Sequence, residues 1–268
     1  LIINQPPFNR GDESAHKGLI RTLLKRLPDV KIKVMYEANL SESYRQYNVH
    51  DERVKYICEA RGSMKFPRFY AHDVYTNYFW MWKWHPAYRW LEYIYKWADV
   101  VVCAPGGICM GGFQDWNHLY HLRLAQLFKR PLAYYGRSFG PFPTETERNR
   151  QFKKISLDML HYFGYLSIRD HKTELLADEL NIPYISTIDS AFLDSPKVEI
   201  PYELKSVVGD KPYMVFVPNY LLWHYAYKGR ISHETVINFY CKVMDEIWAA
   251  NPELNILMLP QLFCGQEY

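Results

Sequence analysis

The stretch ADVVVCAPGG, residues 98–107, constrains the fold more than any other part of the chain. Its β-branched run leaves no polar face, as expected of a parallel strand buried on both sides. Glycines follow directly and mark a loop at the strand's carboxyl end. The pattern recurs in RPLAYYG (130–136) and GYLSIRD (164–170). VKIKVMYE (30–37) alternates with period two, VKYICE (54–59) does so more weakly, and the chain opens on an apolar run, Leu1–Ile3. Between these runs the period becomes helical. Residues 13–27 put Ala15, Leu19, Leu23 and Leu27 on one stripe, with Ile20 and Leu24 beside it. Residues 115–129 do the same with Trp116, Tyr120, Leu124, Leu127 and Phe128. Thr144 and Glu147 have capping-box spacing ahead of a helix running to Phe163, and Asp170 is placed to cap a helix over 171–181. Strands alternating with helices through short loops predict an α/β fold with a parallel, doubly wound sheet.

The pattern breaks at DSAFLDSPKVEIPYELKSVVGDKP (189–212), which carries prolines and charges without a period. The expected organisation is an N-terminal Rossmann-like domain over 1–195, a linker over 196–212, and the start of a C-terminal Rossmann-like domain over 213–268. In that last part YMVFVP (213–218) and LNILMLP (254–260) read as strands. A helix over about 232–250 is expected to turn Val236, Phe239, Tyr240, Val243, Ile247 and Trp248 inward. Two strands and one helix are too few to close a sheet, so the expectation is a second domain cut short, its C-terminal portion missing.

Lysine and arginine number 32 against 29 aspartates and glutamates, a net charge of +3. A dedicated nucleic-acid binder would carry a strong basic excess, so no nucleic-acid partner is expected. The five cysteines have neither zinc-knuckle nor redox CxxC spacing, so reduced thiols in a cytoplasmic protein and no metal site are expected. Aromatic residues crowd into 66–97, but Arg68, Asp73, Lys83, Arg89, Glu92 and Lys96 interrupt that window and Pro86 breaks it. It is not a membrane span. Helices packed under the sheet, a sugar-stacking face, or a peripheral contact at the inner face of the membrane all remain open for it.

Ligands of an open parallel sheet bind beyond the carboxyl ends of its strands. Four loops stand there. The first is Asn9-Arg10-Gly11-Asp12, with Asp12 expected as the N-cap of the following helix. Arg10 beside a helix N-terminus is locally unfavourable, which an anionic partner would explain. The second runs from Pro105 to Gly112, and Gly106 and Gly107 let backbone N–H groups approach a ligand. It is neither GxGxxG nor a Walker loop. The third, GRSFGPFP (136–143), places Arg137 and Ser138 at a strand end, where a guanidinium could hold a phosphate or carboxylate in bidentate fashion. The fourth, Ser167 to Asp170, offers Arg169 as an anion clamp. His16, His118, His121, His161 and His224 are expected to be structural.

NRGDESAHKGL, ADVVVCAPGG, GRSFGP, LSIRD with KTELL, TIDSAFL (187–193) and NILMLPQ, in this order, resemble the polysaccharide pyruvyl transferase family. That resemblance implies a GT-B-like fold of two Rossmann-like domains. It implies transfer of the enolpyruvyl unit of phosphoenolpyruvate onto two hydroxyls of a glycan or lipid-linked sugar, giving a pyruvate ketal. It also implies a cytoplasmic setting for exopolysaccharide biosynthesis and no central cofactor or metal. On it, Arg169 is the first choice for the donor, with Arg137 and Arg10 next. Two features depart from the family. Ile108 stands where a third glycine is common, and no R-x-H-like segment occurs before Tyr268. The general acid is therefore unassigned and expected in the missing C-terminal segment. Two other classes compete: a GT-B nucleotide-sugar glycosyltransferase, and a non-enzymatic carbohydrate-binding module using the aromatics of 66–97. The module would leave the four polar loops without a role.

Overall fold

The computed structural model describes residues 1–5, 9–36, 48–58, 86–107, 109–112, 114–194, 199, 202–219, 222, 227 and 229–259. The chain divides into two compact units: Leu1–Pro7 with Gly11–Asp194, and Phe8–Arg10 with Ser195–Tyr268.

The first unit is built on seven parallel strands: β1 (Ile2–Gln5), β2 (Ile32–Tyr36), β3 (Val54–Cys58), β4 (Val101–Cys103), β5 (Leu132–Tyr134), β6 (Tyr165–Ile168) and β7 (Ile185–Ser186). Their order is β3-β2-β1-β4-β5-β6-β7. The chain starts in the middle, runs outward to β3, then returns to the other side of β1. The order therefore reverses between β1 and β4, and in open parallel sheets ligands bind at such a switch point.

Parallel crossovers are right-handed, so connections running in opposite directions along a sheet lie on opposite faces. Helix α1 (Arg10–Arg26), between β1 and β2, buries Leu19 and Ile20 against Ile2, Ile32, Val34 and Tyr36 on one face. Helices α2 (Pro86–Trp97), α3 (Trp116–Leu127) and α4 (Glu147–Tyr162) cover the other, where Leu1, Ile3, Met35, Val101, Cys103, Leu132 and Tyr134 point. Adjacent residues of β1 thus serve different cores, and the same two-sided burial explains the unbroken apolar run of β4, with Val102 on one face and Cys103 on the other. Helix α3 is buried almost all round, through His118, Leu119, Tyr120, His121, Leu122, Leu124 and Ala125. It lies on β1 and β5 beneath α4, with Trp116 edge-on to Phe152 at 5.2 Å. Each of its fully buried leucines contributes about 2–3 kcal/mol of transfer free energy.

Helix α5 (His171–Glu179) follows β6 and is capped by Asp170, whose side chain accepts from Thr173 N, as the sequence predicts. Two other cap expectations shift. Helix α1 begins at Arg10, so Asp12 sits inside its first turn, where a carboxylate meets the positive end of the helix dipole. The cap of α4 is Thr146 rather than Thr144, its side chain accepting from Asn149 N. Strand β7 carries no apolar run and escapes sequence reading; it is two residues long and exposed.

Of the aromatic window, residues 66–85 lie outside the described residues. Helix α2, its end, turns Tyr88, Leu91, Ile94 and Tyr95 into the core and leaves Tyr93 exposed. Among the described residues, no helix is long and apolar enough to cross a membrane.

The second unit contains α6 (Tyr202–Val208), which falls within the stretch expected as a linker, and a parallel pair, β8 (Tyr213–Phe216) and β9 (Asn255–Met258), joined by α7 (His233–Ala250). Val236 is buried, and Tyr240 bonds Asn219 and meets Phe216 edge-on at 5.5 Å. Phe239 and Trp248, expected inward, are 60% and 58% exposed. A two-stranded sheet covers only part of a helix face, so the flanks of the apolar stripe stay in solvent.

Candidate functional site

In the first unit, Asp12 of the first predicted loop approaches the loop after β4, and the loops after β5 and β6 are tied to each other. Strand β1 ends irregularly: its register with β2 shifts between Ile2 and Gln5, and Asn4 has φ 59°. The buried Asn4 amide donates to His118 O at 3.1 Å and to Cys103 Sγ at 3.7 Å, tying β1 to β4 and α3.

Asp12 projects from the first turn of α1 toward the glycine loop. A β-carbon on Gly106 would lie 2.8 Å from Asp12 Oδ1 and 3.4 Å from both terminal nitrogens of Arg137, so only glycine fits there. Gly107 has open space around it, and its contribution is a carbonyl. Helix α1 is seated by a second close approach. The missing β-carbon of Gly18 leaves room for Ser190 O, which would otherwise be 2.0 Å away, and Ser190 Oγ donates to Ala15 O at 2.7 Å.

Arg137, at the end of β5, is fully buried. Its guanidinium turns into the protein, donating to Ala104 O, to Gly107 O at 3.2 Å and to Cys109 Sγ at 3.0 Å, over the Tyr134 ring at 5.7 Å. Burial works against its charge, but Cys109, Cys103, Tyr134 and Asp12 outweigh that, and its proton is held more tightly than in a free arginine. Arg137 thus braces the glycine loop instead of facing outward. Ser138 donates to Asp170 Oδ2 at 2.5 Å, linking the β5 and β6 loops. Asp170 also accepts from Thr173 N at 3.0 Å and Thr173 Oγ1 at 2.8 Å. Burial would raise its carboxyl, but the Ser138 and Thr173 bonds and the Arg169 charge hold it below the usual range.

Arg169 is the more open guanidinium. It pairs with Asp189, and the two side chains are 26% and 21% exposed. Asp189 also caps the short 3-10 turn Ser190–Leu193, accepting from Ala191 N at 2.9 Å. Burial pushes the Asp12 carboxyl above its ordinary value, against the pull of Arg137 and Arg169 and with a push from Asp189. The Ser138–Asp170 hydrogen bond joins the loop that carries Arg137 to the loop that carries Arg169, so the two arginines stand in adjacent, linked loops.

Of the predicted residues, Gly11, Asp12, Gly106, Gly107, Arg137, Ser138 and Arg169 belong to this unit. Asn9 and Arg10 fall in the second. Ile108 and His224 lie outside the described residues. His16 and His118 are buried and His121 meets Tyr95 Oη at 3.2 Å, all as core groups. Sequence reasoning missed Asp189, Asn4 and Cys109. Asp189 carries the signal of an acid directly before a turn, and Asn4 that of an amide inside an apolar strand. Nothing in the spacing of Cys109 marks it. Among the described residues, no three His, Cys, Asp or Glu side chains gather as a metal site.

These loops combine a partly exposed guanidinium paired with Asp189, a carboxyl with a raised proton affinity, and a braced glycine loop. That set can hold a small anion and move a proton beside it. Residues 9–257 match the family model described as Polysaccharide pyruvyl transferase. No curated protein matches the chain. The match spans nearly all of the sequence, and the chain belongs to the polysaccharide pyruvyl transferase family.

Proposed function

We propose that the protein transfers the pyruvyl unit of phosphoenolpyruvate to two hydroxyls of a sugar, in a polysaccharide or its lipid-linked precursor, forming a cyclic ketal. The observation that supports this reading is the approach of Asp12 and Arg137 to Gly106 beside the switch point, with the Arg169 loop tied to the Arg137 loop through Ser138 and Asp170. Phosphoenolpyruvate is small and doubly acidic, and it needs a guanidinium that it can reach. Arg169 is that group. The donor competes with Asp189 for it, exchanging one carboxylate partner for another. Arg137 holds the loop from Ala104 to Cys109 in shape behind the donor.

The reaction adds a proton to the methylene carbon, making it a methyl group and leaving the neighbouring carbon electrophilic. One sugar hydroxyl adds to that carbon. The second displaces phosphate, and each hydroxyl gives up its proton. Asp12 is assigned as a base for a hydroxyl proton, because a carboxylate with raised proton affinity accepts one more readily. The group that protonates the methylene carbon is not assigned to this unit. The cytoplasm, where phosphoenolpyruvate is made, is the proposed setting. A GT-B-like pairing of two Rossmann-like domains is the proposed architecture, with the boundaries expected from the sequence.

The test is release of inorganic phosphate from phosphoenolpyruvate when candidate sugar acceptors are added, with the ketal identified by mass. Acceptor-dependent phosphate release with a pyruvylated sugar supports the reading. Stabilisation by nucleotide sugars, with phosphoenolpyruvate neither binding nor consumed, overturns it.

A further inference from the structure

The glycine loop carries a thiol in an uncommon setting. Cys109 Sγ lies 3.0 Å from Arg137 Nη2. A guanidinium nitrogen has hydrogens to give and no lone pair to offer, so the sulfur is the acceptor. The loop fixes the sulfur there: Cys109 N donates to Gly107 O at 3.0 Å, and Asp115 N to Cys109 O at 3.1 Å. The Arg137 side chain is fully buried, and its hydrogen bonds run to two carbonyls and to sulfur, with Cys103 Sγ at 3.9 Å. Its Nε is buried without an acceptor.

A buried cation favours negative charge on the atoms that it touches. Carbonyl oxygens cannot ionise, and burial holds the hydroxyl of Tyr134, whose ring lies against the guanidinium, in its neutral form, so the two sulfurs are left to answer. Asp12 adds a negative charge within electrostatic reach but is itself held toward its protonated form by burial. Cys103 is fully buried and also receives the Asn4 amide. Cys109 is partly exposed and nearer the guanidinium. A partly exposed thiol beside a cation meets the conditions for thiolate reactivity.

We propose that Arg137 holds Cys109 as a thiolate and that this is the chain's modification site for soft electrophiles. The inference stands on the loop geometry alone, whether or not the pyruvyl transfer reading holds. With an alkyl iodide, an S–C bond forms, the C–I bond breaks and iodide leaves with its electron pair. With a peroxide, sulfur attacks one oxygen, the O–O bond breaks and hydroxide leaves. Sulfur is oxidised to the sulfenic acid and the peroxide is reduced.

The experiment is peptide mass spectrometry of the whole protein after brief treatment with iodoacetamide, from about pH 6 to about pH 9, a range spanning activated and ordinary thiols. Cys241, exposed on α7, is the internal reference. Near pH 6, Cys109 is expected to label about tenfold faster than Cys241, the gain in thiolate outweighing its lower intrinsic nucleophilicity. Its rate should level off while that of Cys241 still climbs. A parallel climb, or slower labelling of Cys109 near pH 6, overturns the proposal. In Arg137→Gln the Cys109 profile should move to that of Cys241, and an unmoved profile removes Arg137 as the cause. If that variant fails to fold, the comparison within the unaltered protein decides. Hydrogen peroxide with a sulfenic acid trap should mark Cys109 before Cys241, and failure there overturns the peroxide arm.

Discussion

Arg137 and Arg169 carry the same group at neighbouring strand ends, yet burial separates their roles. The first is closed off from solvent and spends its donors on the loop after β4. The second is a quarter exposed and held by one carboxylate. Two residues on α1 give separable tests. Asp12→Asn keeps shape and removes the base, so kcat should fall by roughly two to four orders of magnitude while the KM for phosphoenolpyruvate changes little. Steady-state kinetics with varied donor checks this; an unchanged kcat would exclude Asp12 from proton transfer. Gly18→Ala tests how α1 is seated. In an open helix this change gains up to about 1 kcal/mol, but here the new carbon meets Ser190 O at 2.0 Å, a backbone atom that cannot rotate away. The expected net result is a loss of about 1–2 kcal/mol and a lower Tm by calorimetry. A raised Tm would mean that the contact with the Ser190 turn is not held in solution.

At the scale of elements, two helices carry buried histidines. Burial, aided by Lys17, lowers His16 on α1 to about 3, and burial with Arg137 and His121 pushes His118 on α3 well below 6.5. In the unfolded chain both take a proton as pH falls through about 6.5, whereas the folded protein keeps them neutral. The unfolded state then binds more protons, so stability drops as pH falls from about 6.5 toward 3. His16 should cost about 2 kcal/mol by pH 5 and His118 adds a loss of the same sign, giving a Tm that declines through this window. His16→Asn should flatten that decline by about one proton's worth, measured by denaturant unfolding at several pH values. Elements were legible in the sequence where burial is two-sided and the apolar period strong: β4, β5, β6, α3 and α5 are all in place. Helix ends read less well, because Asp12 and Thr144 have the right chemistry for caps while the backbone begins its helix elsewhere. The inward face of α7 failed at Phe239 and Trp248, since periodicity shows which face is apolar but not how much partner there is to cover it.

At the scale of the molecule, strand order converts scattered loops into a site. Asp12, Gly106 and Arg137 lie far apart in sequence and meet because β1 is central and the chain returns beside it, and the Ser138–Asp170 bond joins the Arg169 loop to them. Their presence at strand ends was legible from loop composition. The division of labour between the two arginines was not, because exposure depends on the packing of the whole loop around Arg137. Nor could Asp189 be joined to Arg169, its partner twenty residues on, before β7 and the following turn brought the two together. The most direct test of the account is calorimetric titration of phosphoenolpyruvate into the protein and into Arg169→Ala. The account predicts saturable binding to the first. In the variant it predicts affinity weakened by about ten- to a hundredfold, the worth of one charge-assisted hydrogen-bonding partner. Because the pair with Asp189 is partly exposed, Tm should change by no more than about 1 kcal/mol of stability implies. Equal affinity in both proteins would contradict the central claim that Arg169 holds the donor.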